Sequence, residues 1–501
     1  MAGNLRISGL ASGMDIDQIV KDLMKAERMP LDKLKQKKQL LEWQRDDYRA
    51  MNTLLQGLDD YLFSNITLQS NMLKKTVSSS NEAAVTATAG SSAANVATTI
   101  QVNQVATSAV WLSDAAVRVD KASFSVAADV TLTINVTNGD GTTKQASIMV
   151  KQGTTLDGLI AQLNSNLDLG VSAFYDEKTG RISIMKKDTG AQASLVLADQ
   201  ATADFFAQKL GFTNTVAGQE LTGKTAGKDA DITINGLRTT RSSNTFTING
   251  VTYTVKGTGT ATVSVSTDVD AMVNAIKGFV DKYNEVIAKI NAELKEERYR
   301  DYPPLTDEQK EAMTEKQVEL WEEKARSGML RGDSILSSAL SQMRMDLYTK
   351  VEGANIPSGF SQLAQIGITT SSNYLDGGKL IIDETKLREK IKENPDAVYQ
   401  LFNQDGATDA EKGIARRLRD TIKATIGKIE QKAGKTIWTN QQFAIGRDLI
   451  EINDQIDRFE DRLKQIEDRY YRQFTAMEEA IQRANQQSMY LMNAFGGGMQ
   501  G

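Results

Sequence analysis

The sequence predicts a multidomain α+β chain: terminal helices paired as a coiled-coil leg, a helical stalk domain and two β-rich outer domains. Three observations predict it. Near the C-terminus, apolar residues recur at alternating steps of three and four. Near the N-terminus, a second apolar series repeats every seven residues. Between about residue 76 and about residue 270 the chain is roughly half as charged as its flanks, contains no Pro, and is rich in Thr, Ser, Val, Ala and Gly, the composition of β-structure with tight turns.

The C-terminal pattern is the sharpest. Residues 447–495 contain neither Gly nor Pro. Leu449, Ile452, Ile456, Phe459, Leu463, Ile466 and Tyr470 mark the a/d seam of a heptad repeat. A further four-residue step from Tyr470 to Phe474 precedes Met477, Ile481 and Ala484. Such an insertion is a stutter and locally unwinds a left-handed coil. A helix with one narrow apolar stripe needs a partner.

The N-terminus offers one. Ile16, Ile19, Val20, Leu23 and Met24 share a helical face. After Pro30, a second series places Leu34, Leu41, Tyr48, Leu55 and Leu62 seven apart. Its other seam position reads Lys38, Arg45, Asn52 and Asp59, so this half of the coil is weaker. Both ends are expected to dock together, with everything else inserted between them. An ordinary helical hairpin within one globular domain has the same periodicity.

In the middle, segments 130–136, 231–235, 245–249 and 252–255 read as strands. Asn138-Gly139, Asn235-Gly236 and Asn249-Gly250 supply the positive φ of hairpin turns. A helix is predicted over 155–166, followed by strands at 170–175 and 180–185. Segment 114–224 is expected to be inserted between β-segments 77–113 and 225–268. Beyond Asp268, a helix cap, the 3.6-residue period returns through Ile276, Phe279, Val280, Tyr283, Ile287, Ile290 and Leu294. Pro303-Pro304 break it, and Thr306 with Gln309 forms a capping box. Helices follow at 307–327, 333–350, 384–394 and 409–433, with a short strand pair at 366–370 and 379–382. Trp43 and Trp321 are expected in the stalk core.

Composition narrows the function. There are 59 basic and 64 acidic residues, a net charge of -5, which argues against nucleic-acid binding. No apolar run approaches the roughly 20 residues that span a bilayer, so no membrane insertion is expected. Asp15 and Asp17 interrupt any signal-peptide apolar stretch. The chain has no Cys and no His, which removes disulfides, thiolate nucleophiles, the Ser-His-Asp triad and the usual zinc sites. No phosphate-binding Gly-rich loop or calcium loop is present, and the glycines at 496–498 lead into no helix. Neither catalysis nor a cofactor is expected.

Four stretches carry a family resemblance. They are the run ISGLASGMD at 7–15, the stretch FTINGVTYTVKGTGTATVSVSTDVDAMVNAIKGFVDKYN at 246–284, LIIDETKLREKIKENPDAVYQLF at 380–402, and RYYRQFTAMEEAIQRANQQS at 469–488. In order and content they resemble the bacterial flagellar filament cap family, hook-associated protein 2. Segment 145–212 looks like the small repeat module of flagellin-related proteins. The resemblance covers essentially the whole chain and is weakest over 86–145.

The resemblance implies a terminal helical leg of 1–42 with 455–501 and a helical stalk of 43–76 with 269–454. A β-rich domain of 77–113 with 225–268 would carry an inserted α+β domain, 114–224. It implies export through the flagellar type III apparatus without a cleaved signal peptide, and an extracellular place at the flagellum tip. There a homo-oligomeric ring of about five copies would promote flagellin folding and insertion and prevent its leakage. Flagellin, the hook-associated junction proteins and a cytoplasmic export chaperone are the implied partners. A hook–filament junction protein, flagellin itself, or a surface adhesin on a coiled-coil stalk are the alternatives, and adhesion through the plate is compatible with the cap. The leg seam would then be the binding surface, ordering fully only when docked. Gly9 and Gly13 bracket a turn or close-packing element before the Asp15 cap, and Met477, Met489, Met492 and Met499 form an adaptable tail or a disordered one.

Overall fold

The computed structural model describes residues 12–354 and 356–496, with side chains followed to residue 493. Gly9, Met499 and the last two residues of the 496–498 glycine run lie outside the described residues. The chain forms two compact units, Met1–Leu68 with Val273–Gly501, and Gln69–Met272.

The first unit is helical. Its N-terminal helix spans Ile16–Tyr61, and the Asp15 carboxylate caps it by accepting from the Gln18 N–H at 2.9 Å. Pro30 lies inside this helix and does not end it. Both Pro30 and Ala26, whose carbonyl loses its partner, face solvent, so water replaces the missing bond. The helix runs into a six-residue π-helix, Leu62–Thr67. Helix Val269–Lys295 buries Ile276, Phe279, Val280, Tyr283, Ile287 and Ile290. The single helix expected at 307–327 is two, Asp307–Glu311 and Glu315–Arg326, because a second capping box at Thr314 and Gln317 restarts the chain. Pro395 stops helix Glu384–Glu393 and also opens another, Pro395–Asn403. The Asn394 side chain accepts from the Ala397 N–H, and proline's fixed φ suits a first helical position. Helices Ser334–Tyr348 and Ile414–Ala433 complete the bundle with the C-terminal helix, Ala444–Gly496. No described helix is long and apolar enough to cross a membrane.

The second unit has two cores. One lies between a five-stranded antiparallel sheet and a three-stranded one. The first orders strands Lys75–Ser79, Gly259–Thr267, Ala97–Gln104, Ala230–Ile234 and Leu237–Arg241. The second orders Thr245–Ile248, Val251–Val255 and Val85–Ala89. Val85, Ile100, Ile232, Tyr253 and Val263 fill this core. The other core, around Trp111, Leu132, Leu159, Ile182 and Phe206, is covered by helices Leu156–Ser165 and Gln200–Leu210.

Three local expectations are corrected. Strand Val110–Leu112 pairs with Arg181–Lys186, and Lys224–Thr225 pairs with Val110–Leu112, so both belong to the Trp111 core rather than outside a 114–224 insert. No charge or turn break marks that junction in the sequence. The Asn138-Gly139 turn is a longer loop whose positive φ falls at Gly141 (+90°). Its residues are drawn away, as Asn138 Oδ1 accepts from Lys186 Nζ and the Gly139 N–H donates to the Asp188 carboxylate. Trp43 and Trp321 are only half-buried. Trp321 lies on Tyr302, centroids 4.7 Å apart, with its indole N–H donating to the Pro303 carbonyl, and the fully buried tryptophan is Trp111.

Candidate functional site

The terminal helices run antiparallel. Lys35 pairs with Glu460 at 3.0 Å, Tyr470 donates to Glu27 at 3.0 Å, and Ser12 donates to Glu478, so one helix rises as the other descends. Ile16, Val20, Met24 and Leu31 are buried against Ile456, Leu463 and Ile466. Leu34, Phe459, Tyr470, Tyr471 and Phe474 flank that strip. Glu478 is only 8% exposed. Beside the seam, Met24, Leu31, Leu305 and Leu463 floor an open cleft of about 400 Å³ with a rim that includes Asp32 and Lys35. Burial, together with Glu308 nearby, holds the Asp32 carboxyl above its ordinary range.

Not every expected seam residue enters this strip. Leu23 is 38% exposed and Ile19 only half-buried. The five-residue face they share with Ile16, Val20 and Met24 is wider than the single partner helix can cover. Leu23 points about 100° away from Met24, on the open side. Leu31, one heptad before Lys38 on the otherwise polar seam position, is buried. The link between Met24 and Leu31 is Glu27, a polar residue at a seam step, and its hydrogen bond to Tyr470 explains its presence there.

Leu41 is half-buried and outside the strip. Leu55 and Leu62 are fully buried, Leu55 in the second half of the helix, which packs on Ile414–Ala433, and Leu62 at the start of the π-helix that follows. There the polar seam positions divide: Asp59 is paired, while the side-chain oxygen of Asn52 is buried with no hydrogen-bond partner among the described residues. The Arg419 guanidinium meets the buried Asp59 carboxylate at 2.8 Å. Arg49 donates to the Ala433 and Gly434 carbonyls at 3.1 Å. Tyr48 donates to Asp333, and burial raises its phenol above the ordinary value. On the C-terminal helix, Leu449 and Ile452 are buried, while Met477 and Ile481 are half-buried beyond the strip.

Past Ile481 the C-terminal helix turns strongly polar before a short apolar stretch. Met489, Tyr490, Leu491 and Met492 are all exposed, Tyr490 by 76%. This arrangement is a ribbon of apolar and charged side chains for helix packing.

The comparisons agree with this architecture. Models of the flagellar hook-associated protein 2 N-terminus and C-terminus match residues 12–109 and 227–486, and a flagellin hook IN motif matches 131–188. A flagellar hook-associated protein 2 of Halalkalibacterium halodurans is 36% identical, covering 98% of this chain and 100% of that one. One from Thermotoga maritima is 31% identical over 70% of this chain and 54% of its own length. The crystal structure of the D1–D2–D3 domains of the Escherichia coli flagellar cap protein superposes with a TM-score of 0.56 at 22% identity, covering 78% of this chain and 96% of that one, which supports the multidomain fold. With its N-terminal and C-terminal models matched in order, and a relative aligned from end to end, the chain belongs to the flagellar hook-associated protein 2 family of filament caps.

Proposed function

We propose that this protein caps the distal tip of the flagellar filament, oligomerising so that exported flagellin folds and inserts beneath it rather than leaking away. The observation that carries the reading is the antiparallel pair of terminal helices. Its one-sided seam is filled between Ile16 and Phe474, and then runs on as an exposed apolar stretch at 489–492. Such a stretch is complete only when another helix lies on it, which is what docking on a helical filament supplies. The copy number, at about five by family likeness, and the contacts with flagellin, hook-associated junction proteins and an export chaperone belong to the same proposal. So does the division of labour, with helical leg and stalk toward the filament and the β-rich parts as the plate that closes the tip. The leg pair would order fully only when docked, which permits detachment and re-docking.

The direct experiment is immunogold electron microscopy of the source bacterium with antibody against residues 77–268. Label confined to filament tips is expected. Label along the shaft would make the protein flagellin-like, and label at the hook would make it a junction protein. A companion measurement is amide exchange of the free protein. Full protection over 16–30 and 470–493 would sink the docking-dependent ordering.

A further inference from the structure

Asn-Gly is the dipeptide in which an asparagine side chain is attacked most readily by the backbone, because glycine has no Cβ to obstruct the approach. The chain has three, at Asn138, Asn235 and Asn249. They are held very differently. Asn138 Oδ1 accepts from Lys186 Nζ at 2.9 Å, its Nδ2 donates to Thr142 at 2.9 Å, and the Gly139 N–H, the would-be nucleophile, is engaged by Asp188. Asn235 Oδ1 accepts from the Thr99 N–H at 2.9 Å, and the Asn235 N–H donates to the Thr99 carbonyl at 2.9 Å. Asn249 is exposed, and among the described residues its side-chain amide makes no hydrogen bond. The turns at 235 and 249 share their backbone geometry. Both asparagines have φ of 49°, and their glycines have 88° and 78°. Each joins two adjacent antiparallel strands. They differ in side-chain anchoring, held at Asn235 by Thr99 and not at Asn249, and in that the Gly250 carbonyl accepts from the Gly90 N–H while Gly236 faces open space.

We infer that Asn249 is a self-modifying site, the place where this protein ages. The Gly250 nitrogen gives up its proton and bonds to Asn249 Cγ. The Cγ–Nδ2 bond breaks, and ammonia leaves with the proton. Water then opens the five-membered imide at either carbonyl, giving aspartate or isoaspartate. No enzyme, oxidant or cofactor enters the balance. The rate rises with pH because the nitrogen must be deprotonated. At Asn235 the bonded carbonyl must first be freed from Thr99 before it can rotate onto the Gly236 nitrogen. At Asn138 two side-chain bonds and the Asp188 contact must break.

The position also gives the reaction a consequence. The Gly250 carbonyl accepts from the Gly90 N–H at 2.9 Å, and Ser92 and Ala93 lie beside Gly250. Isoaspartate adds a methylene to the backbone of a two-residue turn and places a carboxylate at its tip. The hairpin that docks the edge strand Thr245–Ile248 loses its register at this corner.

The test is peptide mass spectrometry of the full-length protein after incubation in ¹⁸O-water at mildly alkaline pH. Labelled aspartate and isoaspartate are quantified at all three sites. In the folded protein, Asn249 is expected to react faster than Asn235 by several-fold to about tenfold, the penalty of breaking a hydrogen bond first. Asn138 should be slowest. In guanidinium the three rates should converge. Equal rates at 235 and 249 in the folded protein overturn the assignment. So does an order that persists after unfolding, since sequence neighbours rather than structure would then set it.

Discussion

Three asparagines close open backbone with the same two bonds. Asn164 accepts from the Ala173 N–H at 2.5 Å and donates to the Ala173 carbonyl at 2.9 Å. Asn244 does this for Ala106, both at 2.8 Å, and Asn284 for Leu380, at 2.8 and 2.9 Å. A primary amide has one donor side and one acceptor side, so it can mimic a neighbouring strand for a single residue. Leu380 begins a three-residue strand and is buried, so it has no water to fall back on. Asn284→Ala should therefore lower stability by about 1–3 kcal/mol in urea unfolding followed by helical circular dichroism. Asn284→Asp should do no better, because a carboxylate accepts from the N–H but opposes the carbonyl. An aspartate variant as stable as the parent would show that the clamp is idle. Asp346 makes a pH argument at the same scale. Burial raises its carboxyl above the ordinary 3.8, although Thr421 and Gln342 donate to it and Arg417 is near. The folded state then holds a proton that the unfolded state has released. Stability attributable to this group falls as pH rises from about 3.8 through the raised folded value. Asp346→Asn should flatten that part of the pH dependence, read as the urea midpoint at acid against neutral pH in both proteins. An unchanged slope in the variant would count against it.

Among the elements, the helix pair shows what the sequence could and could not say. The C-terminal seam was legible because its three-and-four alternation is nearly unbroken, and Ile456, Leu463 and Ile466 are buried where that alternation puts them. The N-terminal seam holds Ile16, Val20, Met24 and Leu34 as its pattern predicts, but is narrower than the predicted face, leaving Leu23 outside. Its buried row is Ile16, Val20, Met24, Leu31, with Leu34 beside it. Glu27 interrupts the row as a polar letter, and only the partner's Tyr470 reveals it as part of the contact. Strands with β-branched alternation were equally legible. The helix Pro395–Asn403 and the strand at Val110–Leu112 were not, because one begins on a residue that also reads as a stop and the other is three residues long. The narrower seam has a measurable form. Leu31→Ala should cost about 2–4 kcal/mol, as buried leucines do. Leu23→Ala should stay within about 0.5 kcal/mol, as exposed positions do. If the two losses are equal in thermal or urea unfolding, the seam assigned here is wrong.

At the scale of the whole molecule, the second unit is expected to fold alone. Among the described residues, its two cores draw on residues 77–265. Its first and last strands are neighbours, with Lys75 opposite Thr267 and Ser79 opposite Val263 in antiparallel register. The chain therefore enters and leaves this unit side by side, the arrangement that makes an insertion tolerable to its host. The first unit depends on both ends of the sequence, because the N-terminal helix is buried against residues 456–466. Removing 447–501 should then have a divided effect. The fragment Gln69–Met272 expressed alone should melt cooperatively with a β-rich circular dichroism spectrum, and the same transition should survive in the truncated full chain. The N-terminal helix should lose its exchange protection, because Ile16, Val20, Met24 and Leu31 would face water. Truncated protein should fail to restore filament growth in a strain lacking the cap. A truncated chain that still builds full-length filaments would remove the helix pair from the capping function, even with every β-strand intact. Loss of the 69–272 transition on the same truncation would instead mean that this unit borrows its stability from the helical one.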